Sequence, residues 1–381
     1  MSEVYITRTS HFLPNDSIAN DEMEAYLGCI GEQASKSRRI VLRNNGIQNR
    51  YYAMDKEGNA THTNAEMVSL AIRNLTNNDA AELNEIDLLS CGTSTPDQMM
   101  PSHGVMVHGW LPETDSIEVV SPSGVCCSGM HAYKYAYMAL KLGEAKKAVC
   151  TGSERLSRVL HSDQFELEVQ KMGELEDNPY LAFEKDFLRW MLSDGAGAFM
   201  MQSEKNTEGV SLRVDWIEAF SFANSQEPCM YMASDKLEDG SLKSYMDYSP
   251  QELNEQSILS IKQDVKLLGE NIVKLGFVKF DKLVKQKEDF DINEVSFFLP
   301  HMSSYFFEDK IASILDESGL HIPKEKWFTN LKTHGNVGAG SIYLMVDELF
   351  NSGRLKVGDK VLLAVPESSR FSYVFSLLTV C

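Results

Sequence analysis

Two stretches of this chain share one plan. CSGMHAYKYAYMALKLGEAKKAVCTGSE, beginning at Cys127, and NVGAGSIYLMVDELFNSGRLKVGDKVLLAVPES, beginning at Asn336, each pass from a small-residue turn through an apolar-periodic helix to a glycine and then a strand. A plan used twice confines the fold to two similar halves built around equivalent helices. It also sets Cys127 and Asn336 at matching points, each at the entrance to one of those helices.

The rest of the chain fits the same scheme. Residues 3–8 read as a strand, Asn64–Leu75 as a helix, and Ile86–Ser90 with the following CGT as a buried strand. Ile117–Val120 is a short strand, Met130–Leu142 a helix stopped by Gly143, and Ala148–Thr151 the next strand. In the second half Val295–Leu299 and Lys360–Val365 read as buried strands and Trp327–Thr329 as a short one. Phe307–Glu317 and Ile342–Phe350 read as helices. Repeated strand–helix–strand units predict an α/β fold with a largely parallel sheet. The halves are set at 1–203, with the cysteine, and 204–381, with a candidate histidine and asparagine. Two long segments, about 160–190 and 219–250, fall outside the repeat and read as lids, pocket walls or dimer contacts.

With 381 residues, 43% of them hydrophobic and 24% charged, the chain can bury a core large enough to enclose a pocket. Its 36 basic and 55 acidic side chains leave a net charge of -19, which repels nucleic-acid backbones and anionic membrane surfaces. No apolar run approaches the ~20 residues that span a bilayer. Seven cysteines show no CxxC pair and no Cys/His metal spacing, so reduced thiols and no metal are expected. The N-terminal stretch lacks a basic segment followed by an apolar one, and a cytoplasmic location is expected.

Three residues carry candidate chemistry. Cys127 sits at a strand–turn–helix junction, where the helix dipole favours a thiolate and the backbone N–H can help hold an oxyanion. Cys126 is the rival thiol, but small Ser128 and Gly129 suit a sharp turn that exposes Cys127. His301 follows the strand FFLPH, at the edge where α/β proteins place ligands. Asn336 lies in the turn HGNVGAGS. Each alone also fits a structural role, as an inert buried thiol, a packed histidine and a turn asparagine. Together they form a cysteine with separate His and Asn, a pattern suited to acyl chemistry. The SDGAGA run at 193–198 lacks the lysine and spacing of a phosphate loop and reads as close packing between halves.

The chain resembles the β-ketoacyl-acyl-carrier-protein synthase III family of the thiolase superfamily. The resemblance runs through RIVLRNNGIQNRYY near 40, PSHG at 101, CCSGMHAYKYA at 126, TGSERLSR at 151, SDGAGA at 193, LPHMSS at 299 and THGNVGAGS at 333. It implies a duplicated five-layered αβαβα thiolase-like fold, no cofactor, and a homodimer. It also implies a two-stage reaction: Cys127 takes an acyl group from a thioester, then His301 and Asn336 hold the enolate of a second thioester. The N–H groups of Cys127 and Ser369 would form the oxyanion hole, and Arg43, Arg158 and Arg370 would line the substrate entrance. The partners implied are acyl carrier protein or acyl-coenzyme A.

Three positions depart from the family pattern. Arg39 stands where a stacking tryptophan is common, Phe306 where a basic residue docks carrier protein, and PESSRFSY at 366–373 replaces a glycine run. VCCSGMHA and that altered loop look closest to ketosynthases of dialkylresorcinol and flexirubin-type aryl-lipid pathways, which join two β-oxoacyl chains. Acyl transfer to an oxygen or nitrogen acceptor, an initiating fatty-acid synthase III role, and a non-catalytic partner subunit are the competing readings. The retained Asn336 favours condensation over simple transfer. The intact Cys–His–Asn set disfavours a non-catalytic subunit.

Overall fold

A computed structural model describes residues 2–29, 35, 38–165 and 188–381. Nine strands form its main sheet: β1 (Tyr5–Phe12), β2 (Leu88–Thr93), β3 (Glu118–Val120), β4 (Lys147–Glu154), β5 (Gly195–Gln202), β6 (Leu212–Ser221), β7 (Val295–Pro300), β8 (Lys360–Glu367) and β9 (Ser372–Val380). The helices that matter for the site are α1 (Arg38–Asn45), α2 (Asn64–Leu75), α3 (Cys126–Leu142), α4 (Val265–Gln286), α5 (Glu308–Glu317) and α6 (Ser341–Asn351).

The strand order is β7-β8-β9-β6-β1-β5-β4-β2-β3. Read from the two ends towards the middle, it is one motif used twice. In the first half β2 leads through β3 and α3 to β4, then to the reversed β5. In the second half β7 leads through a bridge at Trp327 and α6 to β8, then to the reversed β9. The half-sheets join where Tyr5 and Ile6 of β1 pair with Arg213 and Leu212 of β6.

The sheet is mixed, which corrects the expectation of a largely parallel one. Only β2/β3, β2/β4 and β7/β8 run parallel; the other neighbouring pairs are antiparallel. Parallel pairing needs a crossover helix, but β8 turns into β9 within the short loop 368–371 and so must reverse. The expected strand Trp327–Thr329 reduces to a single parallel bridge between Phe298 and Trp327.

Strand residues alternate between two cores, as a period of two requires. Ala148 and Cys150 of β4, and Leu363 and Val365 of β8, face an inner core shared with Met130 and Tyr133 of α3 and Ile342 and Tyr343 of α6. Val149 faces outward onto α2, through Val68 and Ile72. Leu362 and Ala364 face outward onto α4 and α5, through Leu268, Ile272 and Leu315. The layers are therefore α2, half-sheet, α3 with α6, half-sheet, and α4 with α5. This is the αβαβα arrangement.

Glycines let the central layer close. A Cβ on Gly129 or Gly152 would stand 2.5 or 2.2 Å from the Ala339 carbonyl oxygen, and one on Gly92 would stand 2.2 Å from that of Ser128. This close approach seats the N-terminus of α3 on β2 and β4 and brings the turn that carries Asn336 against it.

The second extra segment, 219–250, contains a small hairpin, Ser234–Lys236 with Leu242–Ser244. Most of the first, residues 166–187, lies outside the described residues. Among the described residues, no helix is long and apolar enough to cross a membrane.

Candidate active site

Cys127 lies in the first turn of α3 and is fully buried. Its thiol donates to the Val365 carbonyl oxygen at 3.4 Å, near the C-terminal end of β8. Two residues further along β8, Glu367 Oε2 accepts from the backbone N–H groups of Val125 and Cys127, each at 2.9 Å. Glu367 Oε1 accepts from the Ser369 hydroxyl at 2.7 Å. Burial raises the Cys127 thiol well above its ordinary range, and the Glu367 charge adds to the effect. The sequence favoured a dipole-stabilised thiolate here, but in this state burial and a neighbouring carboxylate outweigh the dipole.

Cys126 is 9% exposed and borders two cavities. The first has about 880 Å³ of empty space, its mouth included, and runs between α4, α5 and β7 past Ile272, Phe277, Phe298 and Ile311; His301 lines it. The second has about 470 Å³ and is lined by Leu156, Met191, Met230, Glu154 and Asn336. Cys126, Leu268, Ser303 and Ser368 line both.

His301 follows β7, and its backbone N–H donates to Ala364 O at 2.8 Å. Burial pulls its pKa down to about 4, so the ring is neutral at pH 7 and offers one N–H donor. Asn336 Oδ1 accepts from the Gly338 N–H at 2.9 Å. Only an oxygen can take that bond, so the other end of the side chain is the donating amide. The Asn336 backbone is held from both sides: its N–H donates to Met191 O at 3.0 Å and its carbonyl accepts from Ser193 N at 2.9 Å.

SDGAGA supplies that support. Asp194 is buried and accepts from the backbone N–H groups of Ala53, Leu156 and Ser157 and from the Ser157 hydroxyl. Burial nevertheless raises its pKa. A Cβ on Gly197 would stand 2.4 Å from Tyr343 Cβ, so this glycine keeps the strand against α6.

The small-residue turn does not expose Cys127 as expected: Cys127 is fully buried and lines neither cavity, while Cys126 lines both, and the remaining sequence candidates also lie apart from the cavities. Ser369 turns its carbonyl to the N–H groups of Cys229 and Met230, while its neighbour Ser368 borders both cavities. Arg370 is exposed and donates to Gln226 O at 2.8 Å. Arg158 pairs with Asp163 at 2.7 Å. Arg39 and Arg43 are exposed on α1. Phe306 is 52% exposed, and the Lys310 ammonium sits 4.3 Å from its ring centroid.

Two carboxylates went unread in the sequence. Glu367 belongs to the altered 366–373 loop, and its place at the C-terminal edge of a buried strand is the sequence signal that marks it. Glu154 ends β4, takes donations from Ser94, Thr95 and Ala339, and has its pKa pushed up to about 7 by burial.

A duplicated αβαβα fold with a cysteine at one helix entrance, an asparagine at the equivalent turn and a histidine at a strand edge defines a thiolase-fold condensing enzyme. Comparison with known proteins agrees. Residues 286–365 match the family described as 3-oxoacyl-[acyl-carrier-protein (ACP)] synthase III C terminal. A β-ketoacyl-[acyl-carrier-protein] synthase III of Clostridium perfringens is 24% identical over 355 residues, which cover 92% of each chain. Among solved structures, the tetronic acid condensing enzyme AbyA1 superimposes with a TM-score of 0.76 at 18% identity, covering 99% of both chains. Xanthomonas campestris OleA, solved with bound lauric acid and lauroyl-CoA, gives 0.71 at 19% identity, also covering 99% of both. The chain is thus similar over 92% of its length to a ketosynthase III, and this similarity together with the shared fold marks it as a transferase-type condensing enzyme.

Proposed function

We propose that this enzyme joins two acyl chains: an acyl group held on Cys127 is attacked by the enolate of a second acyl thioester. The observation that carries the reading is the meeting of two largely apolar cavities beside the first turn of α3, one bearing His301 and the other Asn336. An enolate oxygen needs donors that gain strength as charge develops, and a neutral imidazole N–H with a fixed amide supplies two. In acyl loading, the thioester carbon is attacked by sulfur and the carrier thiol leaves. In condensation, the enolate carbon attacks the acyl-cysteine and the thiol is released.

The apolar length of the first cavity supports a long acyl chain, and two cavities support two chains. A β-oxoacyl second substrate, as in dialkylresorcinol synthesis, accords with the altered 366–373 loop. Carrier protein or coenzyme A would deliver the chains, with Lys310 beside Phe306 as a docking cation and Arg43, Arg158 and Arg370 at the entrance. The halves are taken as 1–203 and 204–381, and the assembly as a homodimer. A second reading places the acyl group on Cys126, because that residue borders both cavities.

Product analysis tests the condensation. With two acyl thioesters supplied, Asn336→Ala is expected to keep the acyl-enzyme while losing carbon–carbon product by about 10²-fold or more. Undiminished product from Asn336→Ala would rule out its role in holding the enolate.

A further inference from the structure

The N–H that should receive the substrate oxygen is already taken. Glu367 Oε2 sits 2.9 Å from the Cys127 nitrogen and 2.9 Å from that of Val125, and the whole residue is buried. A thioester oxygen can use the Cys127 N–H only if this carboxylate lets go. The Cys127 thiol, meanwhile, is protonated and hydrogen-bonded to a carbonyl, which accepts a hydrogen bond but cannot carry the proton away. The neutral His301 ring lines the first cavity, among the chain-binding residues. Glu367, on the same strand end as Val365, is the side-chain acceptor held against the residue that must lose a proton.

Building on the assignment of Cys127 as acyl carrier, we infer that Glu367 is the general base of the loading step and the gate of its oxyanion hole. As the thioester arrives, the Cys127 S–H bond breaks and its proton goes to a Glu367 oxygen, while the sulfur electron pair forms the new bond to the thioester carbon. A protonated carboxyl is a weaker acceptor than a carboxylate, so it releases the Cys127 N–H to the oxyanion now forming. When the carbon–sulfur bond to the donor breaks, the leaving thiolate takes the proton back from Glu367 and departs as a thiol. Glu367 returns ionised, and no other reactant is needed. The Ser369 hydroxyl, 2.7 Å from Oε1, orients the carboxylate through the cycle.

A base and a mere charge give opposite results here. Glu367→Gln keeps an oxygen that can accept from the two N–H groups, but it removes the negative charge that holds the Cys127 thiol protonated. If Glu367 were only structural, the variant thiol would ionise more readily and load faster. The experiment measures two rates on the intact enzyme: alkylation of Cys127 by iodoacetamide, and formation of the acyl adduct from lauroyl-coenzyme A, read by mass spectrometry. Glu367→Gln is expected to alkylate several-fold faster yet acylate about 10²-fold slower or worse. Glu367→Asp, which keeps a carboxylate, is expected to acylate at least about tenfold faster than Glu367→Gln. Acylation of Glu367→Gln at the wild-type rate or faster overturns the proposal, as does equal loss in the Gln and Asp variants. An adduct that wild type carries on another thiol sinks the Cys127 assignment itself, a separate failure visible before any Glu367 variant is made.

Discussion

The Tyr343 hydroxyl donates to the Gly129 carbonyl oxygen at 2.8 Å, tying the helix after Asn336 to the helix whose first turn carries Cys127. Tyr343 is fully buried and its ring stacks on Phe199, with centroids 4.1 Å apart. One bond therefore joins the two halves at their equivalent helices, directly below the site.

Tyr343→Phe keeps the stack and loses the bond, leaving the Gly129 carbonyl without that donor. A loss of about 1–2 kcal/mol in unfolding free energy is expected from urea denaturation, with the fold retained. An unchanged midpoint would show that the bond does not couple the halves.

Gly152→Ala is expected to be worse. The added Cβ would meet the Ala339 carbonyl oxygen at 2.2 Å and Tyr343 Cδ2 at 2.9 Å, and the backbone atom has no room to yield. A cost of about 3 kcal/mol or more is expected, with the Asn336 turn pushed from α3 and condensation lost ahead of acyl loading. Thermal melting and the two half-reactions measured separately check this.

Much of the architecture was legible because its signals are local. Asn64–Leu75 is a helix with a Thr63–Glu66 capping box, and its bounds follow directly from the sequence. The α3–α6 correspondence came from one repeated pattern of turn, helix, glycine and strand. Strand direction was not legible, because it depends on whether a tight loop or a helix makes the connection. Helix α4 went unread even though Leu268, Ile272, Gly276, Phe280 and Leu283 mark one buried face at helical spacing. It lies beyond the loop-rich 219–250 segment and has no counterpart in the repeated stretches. Glu367 went unread for a different reason: its contact with Cys127 spans 240 positions, and only the folded sheet brings them together.

His301 gives a pH signature. Its folded pKa is about 4, against an ordinary 6.5, and burial is the cause. The unfolded chain therefore binds the proton more readily, and stability falls as pH drops from 6.5 towards 4. Between those values the wild type is expected to lose about 3 kcal/mol more than His301→Gln, which cannot titrate. Equal acid sensitivity would place the ring in a wetter setting. Above pH 5 the ring stays neutral, so its role as an N–H donor should persist there.

The first cavity sets chain length. Val273 lines it from α4, and Val273→Trp should fill part of its depth. Each methylene that no longer fits forfeits about 0.8 kcal/mol, so the preference should shift to shorter acyl thioesters by roughly fourfold per carbon. Competition between acyl-coenzyme A chains of graded length measures it. A variant with unchanged preference would move the acyl chain to the second cavity.

The central claim is that Cys127 carries the acyl group, and the neighbouring Cys126 makes it directly testable. Wild type, Cys126→Ala and Cys127→Ala are each incubated with acyl thioester, and the adduct is mapped by intact-mass and peptide mass spectrometry. The expected result is an adduct on wild type and Cys126→Ala and none on Cys127→Ala. An adduct that survives in Cys127→Ala and vanishes in Cys126→Ala would contradict the account.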